Sequence, residues 1–240
     1  MEDFKAKFIL DFVEKERWRF IVDGLQVTLL VTILACIFGI LIGMVVAVIR
    51  CAHDQQDPNK LTGFSGFILK LLNILSRVFV TVIRGTPALV QLLIMYFVIM
   101  VSPNTSKVLV AVVTFSINSG AYVSEIFRGG IMAVDKGQME AGRSLGLSYV
   151  QTMIEIVLPQ AFKSVQPSLV NELITLLKET SICGYIGLNE LTRGGDIIRG
   201  ATFDALLPLF AVALIYLVLV LGLEAIFGRL ERRLRESDNR

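Results

Sequence analysis

Gly137–Gln160, GQMEAGRSLGLSYVQTMIEIVLPQ, is a polar, helix-prone stretch in an otherwise apolar chain. Asp135 three residues before Gln138, and Ser148 three before Gln151, each fit a capping box, in which a short side chain satisfies orphan backbone donors at a helix start. Gly146 stands where a first short helix should close in a left-handed cap. Pro159 is expected to stop a second one, because it lacks an N–H and its ring opposes a helix interior. The expected order is helix, glycine corner, helix, proline stop. A stiff elbow of this kind between two apolar segments offers a surface to something soluble.

The composition says where the elbow sits. Of 240 residues 54% are apolar, mean hydropathy is +0.69, and charge is gathered into a few blocks. A single soluble domain of this length would not collect such long uncharged runs, so an integral membrane protein is expected. The net charge of +2 says little by itself, and nothing in the sequence suggests nucleic acid. Cys36, Cys51 and Cys183 are an odd number without framework spacing, so disulfides are not expected. His53 is the single histidine and has no second half of a metal site. The N-terminus lacks the shape of a cleavable signal peptide.

Five spans are predicted: Leu25–Ile49, Pro87–Val101, Val108–Phe127, Val165–Ile182 and Ala205–Phe227. The first is a charge-free run of about 37 Å at ~1.5 Å per residue, enough to cross ~30 Å of hydrocarbon. The fourth is weaker, because Glu172, Lys178 and Glu179 lie inside it. Ile68–Ile83 places Lys70, Asn73 and Arg77 at helical spacing among leucines and isoleucines. It reads as an amphipathic helix along the membrane face or one leading into the second span, with a full crossing as the alternative.

With five spans the termini lie on opposite faces. The distribution of Lys and Arg, 14 on one side against 8 on the other, favours a cytoplasmic elbow and C-terminus and an outer N-terminus. The chain then divides into an interfacial segment over 1–24, a membrane domain over 25–228 with its cytoplasmic loop at 128–164, and a basic tail over 229–240. In the first segment Phe4, Phe8 and Phe12, with Ile9 and Val13, fall on one helical face, with Lys5, Lys7, Asp11 and Lys15 around the rest.

Polar residues inside spans are costly and face a partner helix or a wet cavity. Asn118, Tyr122 and Glu125 share one face of the third span at i, i+4, i+7, and Asn171, Thr175 and Lys178 share one on the fourth. A solute carrying both ammonium and carboxylate would match Glu125 or Glu172 with Lys178 or hydroxyls, and Thr86 and Gln91 could add hydrogen bonds. The opposing reading is structural: Glu125 pairs with Arg128, and Glu172 and Glu179 brace helices. Thr86 is expected to cap a helix with Pro87 in its first turn. Gly39 and Gly43 form a small-xxx-small pair. Leu188–Asp204, rich in glycine, reads as an outer connection. No phosphate-binding Gly-x-x-x-x-Gly-Lys-[Ser/Thr] loop occurs.

Glu140-Ala141-Gly142, then Gly146, then Ile156-Val157-Leu158-Pro159 resembles the EAA loop of ABC importer permeases, with Gly142 where the family usually has alanine. Arg84-Gly85-Thr86-Pro87 with Gln91, Ala121–Ile126 running into Arg128–Ile131, Pro167–Asn171 and Lys178–Ser181 resemble the polar amino acid branch. The resemblance spans about 25–228 and implies an all-α membrane protein of about five transmembrane helices with a cytoplasmic coupling helix. It implies an importer permease rather than an enzyme, with Gln138, Glu140, Ala141, Gly142, Arg143 and Gly146 meeting a separate ATPase. It further implies ATP and Mg on a dimer of ABC ATPase subunits and no cofactor or metal on this chain. The remaining implied partners are a second permease copy or related chain, an extracellular or periplasmic amino-acid-binding protein, and the lipid bilayer of a bacterial inner membrane. A permease for another small solute, or an ion-gradient carrier, is the competing reading.

Overall fold

Long charge-free runs leave the backbone no water to bond with, and a helix satisfies every N–H and C=O within one segment. The computed structural model follows this rule: among the described residues (2–54, 63–102 and 104–238, with side chains over 4–54, 63–102 and 104–229) all regular structure is helical. The helices are α1 (Glu2–Phe8), α2 (Trp18–Asp54), α3 (Gly63–Arg84), α4 (Ala88–Ile94), α5 (Lys107–Ala133), α6 (Lys136–Ser144), α7 (Tyr149–Thr152), α8 (Leu158–Glu179), α9 (Leu191–Thr202) and α10 (Leu206–Asp238). Positions 55–62, between α2 and α3, and the last two residues of the predicted basic tail lie outside the described residues.

Among the described residues four helices are long and apolar enough to cross a membrane: α2, α3, α5 and α10 through Arg229. Three of them extend the predicted first, third and last spans. The predicted second span is instead a short apolar helix, Ala88–Ile99, ending in a π turn at Met95–Ile99. The predicted fourth falls in α8, whose polar residues and prolines keep its hydropathy too low for that group. The ambiguous Ile68–Ile83 segment belongs to the continuous 22-residue α3, which meets the length and composition of a crossing. Its face is split: Gly66, Asn73, Ser76 and Val80 are buried, while Phe67, Leu71, Ile74, Leu75, Val78 and Val82 point outward.

Two compact units are built from these helices. One comprises Met1–Cys36, Ala88–Phe115 and Leu173–Arg240. Its core joins Val31, Ala35, Leu92, Phe115, Leu176 and Cys183. A second cluster sets Ile21 against Leu191, Ile198 and Val212. The other unit comprises Ile37–Pro87 and Ser116–Glu172, with cores at Ala47, Val123, Phe127 and Val165 and at Cys51, Ile131, Val157 and Ala161. Here the Gly39 and Gly43 pair works as its spacing predicts. A Cβ on Gly39 would lie 2.9 Å from Ser119 Cβ, and one on Gly43 2.5 Å from Val123 Cγ1, so α2 and α5 touch backbone to side chain.

The N-terminal segment differs from its amphipathic reading. Phe4, Phe8, Ile9 and Val13 are exposed, but Phe12 packs on the Ile21 cluster and Asp11 is fully buried. A π turn at Ile9–Val13 shifts the register of the helical face, and Lys15 and Glu16 at positive φ (53° and 54°) break the helix before α2. Arg17, also buried, donates from Nη1 to the Leu10 carbonyl across this break.

Candidate functional site

The elbow is built largely as its sequence dictates. The Asp135 carboxylate accepts from the Gly137 N–H at 2.7 Å and starts α6. Gln138 does not reciprocate as a capping box would have it: its Oε1 accepts from Gln160 Nε2 at 3.3 Å, tying α6 to α8. Gly146 has φ +89°, its N–H bonds to the Arg143 carbonyl, and the Leu147 N–H reaches the Gly142 carbonyl at 3.2 Å. That 6→1 and 5→2 pair is a Schellman ending, which needs a left-handed residue at this place. Ser148 and Gln151 then form a complete capping box at the start of α7.

Pro159 does not stop the helix. A π turn at Met153–Val157 carries α7 into α8, and Pro159 is the second residue of α8. The Leu158 N–H bonds to the Met153 carbonyl, five residues back, so the chain enters the proline with its ladder already offset. A proline in a first turn gives up a donor that would have no ordinary partner there. Pro167, further along, is also held inside α8.

The elbow presents Gln138, Glu140, Ala141, Arg143 and Gly146 outward and buries Gly142 against Thr152 and Ile156. Glu140 has no partner among the described residues, whereas Arg143 donates to the Leu147 carbonyl at 2.9 Å and stiffens the corner. Behind it lies a cavity of about 560 Å³ reaching Cys51, Met139 and Tyr149. Burial pushes the Tyr149 hydroxyl above its ordinary pKa.

The predicted path residues do not form one cluster. Glu125 is clasped by two guanidinium groups: Arg50 Nη1 at Oε1, and Arg128 Nη2 at Oε2, 2.9 Å away. The Arg128 partner was legible from spacing; Arg50 was not, although it is the first charge after the Leu25–Ile49 run. Tyr122 lies under the Arg84 guanidinium, 5.1 Å from ring centre to Cζ. Asn118 is buried, and its neighbour Ser119 donates to Glu172 Oε1 at 2.8 Å. Thr86 donates to the Val82 carbonyl at 2.8 Å, finishing α3, and Pro87 immediately precedes α4. Gln91 on α4 is half-buried. Asn171, Thr175 and Lys178 are all exposed along one line of α8, as are Gln160, Ser164 and Ser168 before them.

Sequence reading missed the structure inside Leu188–Asp204. Glu190, buried to 1% exposure, caps α9 by accepting from the Thr192 and Arg193 N–H groups at 2.7 Å each. Tyr216 donates to its Oε2 at 3.4 Å, and the Leu191 N–H bonds to Thr28 Oγ1. Burial pushes the Glu190 carboxyl above its ordinary range, with the α9 donors opposing. Asp196 is held below its ordinary range by Arg199, with Arg193 adding to the effect. Among the described residues no group of three or more His, Cys, Asp and Glu is placed to hold a metal ion.

Residues 61–236 match the family described as the binding-protein-dependent transport system inner membrane component. The chain belongs to this family. The importer-permease resemblance carried by the elbow is thereby borne out. It is 41% identical to the arginine transport system permease protein ArtQ of Bacillus subtilis (strain 168), over 91% of this chain and 94% of that one. It is 38% identical to the glutamine transport system permease protein GlnP of Escherichia coli (strain K12), over 90% of this chain and 93% of that one. Among solved structures, an amino acid ABC transporter with histidines is similar at TM-score 0.77 and 37% identity, covering 90% of this chain and 94% of the other. The MetNI methionine ABC transporter shares the fold at TM-score 0.76 and 20% identity, over 92% of this chain and 98% of the other.

Proposed function

We propose that this chain is the permease subunit of an ATP-binding cassette importer that carries a polar amino acid into a bacterial cell. A separate ATPase dimer holds ATP and Mg and seats the elbow in a groove. A second permease, identical or related, completes the path, and an extracellular or periplasmic binding protein delivers the solute. The elbow and C-terminus face the cytoplasm, and the N-terminus the outside. The observation that carries this reading is the elbow itself: a polar, doubly capped corner with Glu140 outward and without a partner among the described residues, in a chain whose relatives are permeases for arginine and glutamine. A rigid helix end in a partner's groove transmits a rigid-body motion to the segments on either side.

The proposed path includes the exposed line of Asn171, Thr175 and Lys178, since a polar stripe facing hydrocarbon is costly and water or a second permease relieves that cost. Glu125 acts as a brace rather than a solute contact, because both its oxygens are already engaged. The test is reconstitution with an ATPase and a binding protein that copurify with the chain. Hydrolysis stimulated by arginine, glutamine or a related amino acid supports the reading. Stimulation by sugars or ions alone, or nucleotide-independent uptake, overturns it.

A further inference from the structure

The ends of α2, α3 and α5 line an open cavity of about 340 Å³, with Arg50, Arg77, Val80, Thr81, Arg84 and Glu125 on its walls. Its charge balance is uneven. Glu125 is matched by Arg50 and Arg128, Asp54 pairs with Arg77 at 3.2 Å, and Glu172 feels Arg84 from further off, so four guanidinium groups stand against three carboxylates. Arg84 has no carboxylate within ion-pair distance among the described residues and lies against Tyr122 instead. The Arg50 Nε is buried and has no acceptor. A buried charged donor without a partner costs free energy that an incoming anion removes.

The surroundings indicate which anion. Arg50 is the first charge after the 25-residue uncharged run of α2, which sets the cavity at headgroup depth. Beside it α3 turns Ile74, Leu75, Val78 and Val82 outward, each more than half exposed, giving acyl chains a wall to lie on. Arg77, 56% exposed, and the exposed Thr81 stand at the rim between this apolar wall and the cavity. Guanidinium forks match the oxygen spacing of phosphate, and basic pockets between membrane helices hold anionic headgroups.

We propose that this cavity binds the phosphate headgroup of an anionic phospholipid, pinning α3 to the ends of α2 and α5. The site takes one lipid, with Arg50 and Arg84 on the phosphate and Arg77 at the rim.

The full-length protein, with any chains that copurify, is stripped of lipid in detergent and given phosphatidylglycerol, phosphatidylcholine or inorganic phosphate. Native mass spectrometry and thermal unfolding are the readouts. One phosphatidylglycerol should stay bound and raise the unfolding midpoint, while phosphatidylcholine washes away. The Arg77→Gln/Arg84→Gln pair should weaken retention at least tenfold. Thr81→Trp, which fills the cavity without changing charge, should do the same, and Lys70→Gln, on α3 outside the cavity, should not. Equal retention of the two lipids overturns the proposal, as does equal loss with Lys70→Gln or undiminished retention in both cavity variants. Stabilisation by inorganic phosphate alone, equal to that by the lipid, would mark a soluble-anion site and also overturn it.

Discussion

Gly142 and Thr152 meet so closely that a methyl group on Gly142 would stand 2.5 Å from Thr152 Cγ2. Thr152 is fully buried and its hydroxyl is tied to the Ser148 carbonyl at 3.0 Å, so it cannot turn aside freely. Alanine, the usual residue at this place in the related loop, gains up to ~1 kcal/mol of helix propensity. Overpacking costs about 1–3 kcal/mol. Gly142→Ala is therefore expected to lower the unfolding midpoint and weaken ATPase binding. Adding Thr152→Ser, which removes Cγ2 and keeps the hydroxyl, should restore both. An unchanged midpoint in the single variant would show that α6 and α7 separate without cost.

Gly146 holds the corner at φ +89° with open space around it, so backbone strain alone decides what it tolerates. Gly146→Val places a β-branched side chain in the left-handed region, at about 1–3 kcal/mol. Membrane insertion should persist while ATPase copurification falls, and Gly146→Asn should be milder, since asparagine tolerates that region. A fully active ATPase retained by the valine variant would remove the corner from the coupling role.

Replacing Glu125 by Gln leaves Arg50 and Arg128 facing a neutral group. Hydrogen bonds to charged groups contribute about 1.5–3 kcal/mol. The lower part of that range is expected, because the carboxylate is 20% exposed. The unfolding midpoint should drop, and the affinity for amino acid should move less than in Asn171 or Lys178 variants. A selective loss of solute affinity would return Glu125 to the path.

Two carboxylates around α9 respond to pH with opposite signs. Glu190 has a raised folded pKa, so its contribution is complete below the ordinary glutamate range and is lost as pH rises through the folded value. Asp196 has a lowered one, so its contribution is complete above the ordinary aspartate range and is lost as pH falls toward the folded value. Asp196→Asn should flatten the acid side of a midpoint-against-pH curve. Glu190→Gln should flatten the side above the ordinary glutamate range, with an overall drop from the lost cap. The same slope changes in both variants would contradict this assignment.

Thr175→Cys tests the exposed line of α8. A membrane-impermeant thiol reagent should modify it in the assembled transporter, and added amino acid should slow the reaction at least severalfold. Cys51 and Cys183 are buried and Cys36 half-buried, so the native background is low. Complete protection with or without solute would put lipid or a partner helix over this face.

Much of this is legible in the sequence. Gly146, Ser148 and Gln151 announce their geometry because a corner and a cap depend on three or four neighbouring residues. The ends of α2 and α10 were underestimated because hydropathy stops at the first charge, whereas a helix continues through Arg50 to Asp54 and through Arg229 to Asp238. Pro159 misled for a physical reason: a π turn offsets the hydrogen-bond ladder, and no composition rule reveals one. Asp11 was placed on a polar face for the same reason. The Arg50 clasp on Glu125 and the Tyr216 contact to Glu190 join residues 75 and 26 positions apart, beyond the reach of any local pattern.

The continuity of α7 into α8 makes the two arms of the corner mechanically unequal. On the α8 side, the corner leads through a π turn and past Pro167 to Glu179 with no break in helical structure. On the α5 side, Val134 and Asp135 separate two helices. Under the proposed docking, a push on the corner would thus travel along one arm like a piston while the other turns at the Val134–Asp135 break.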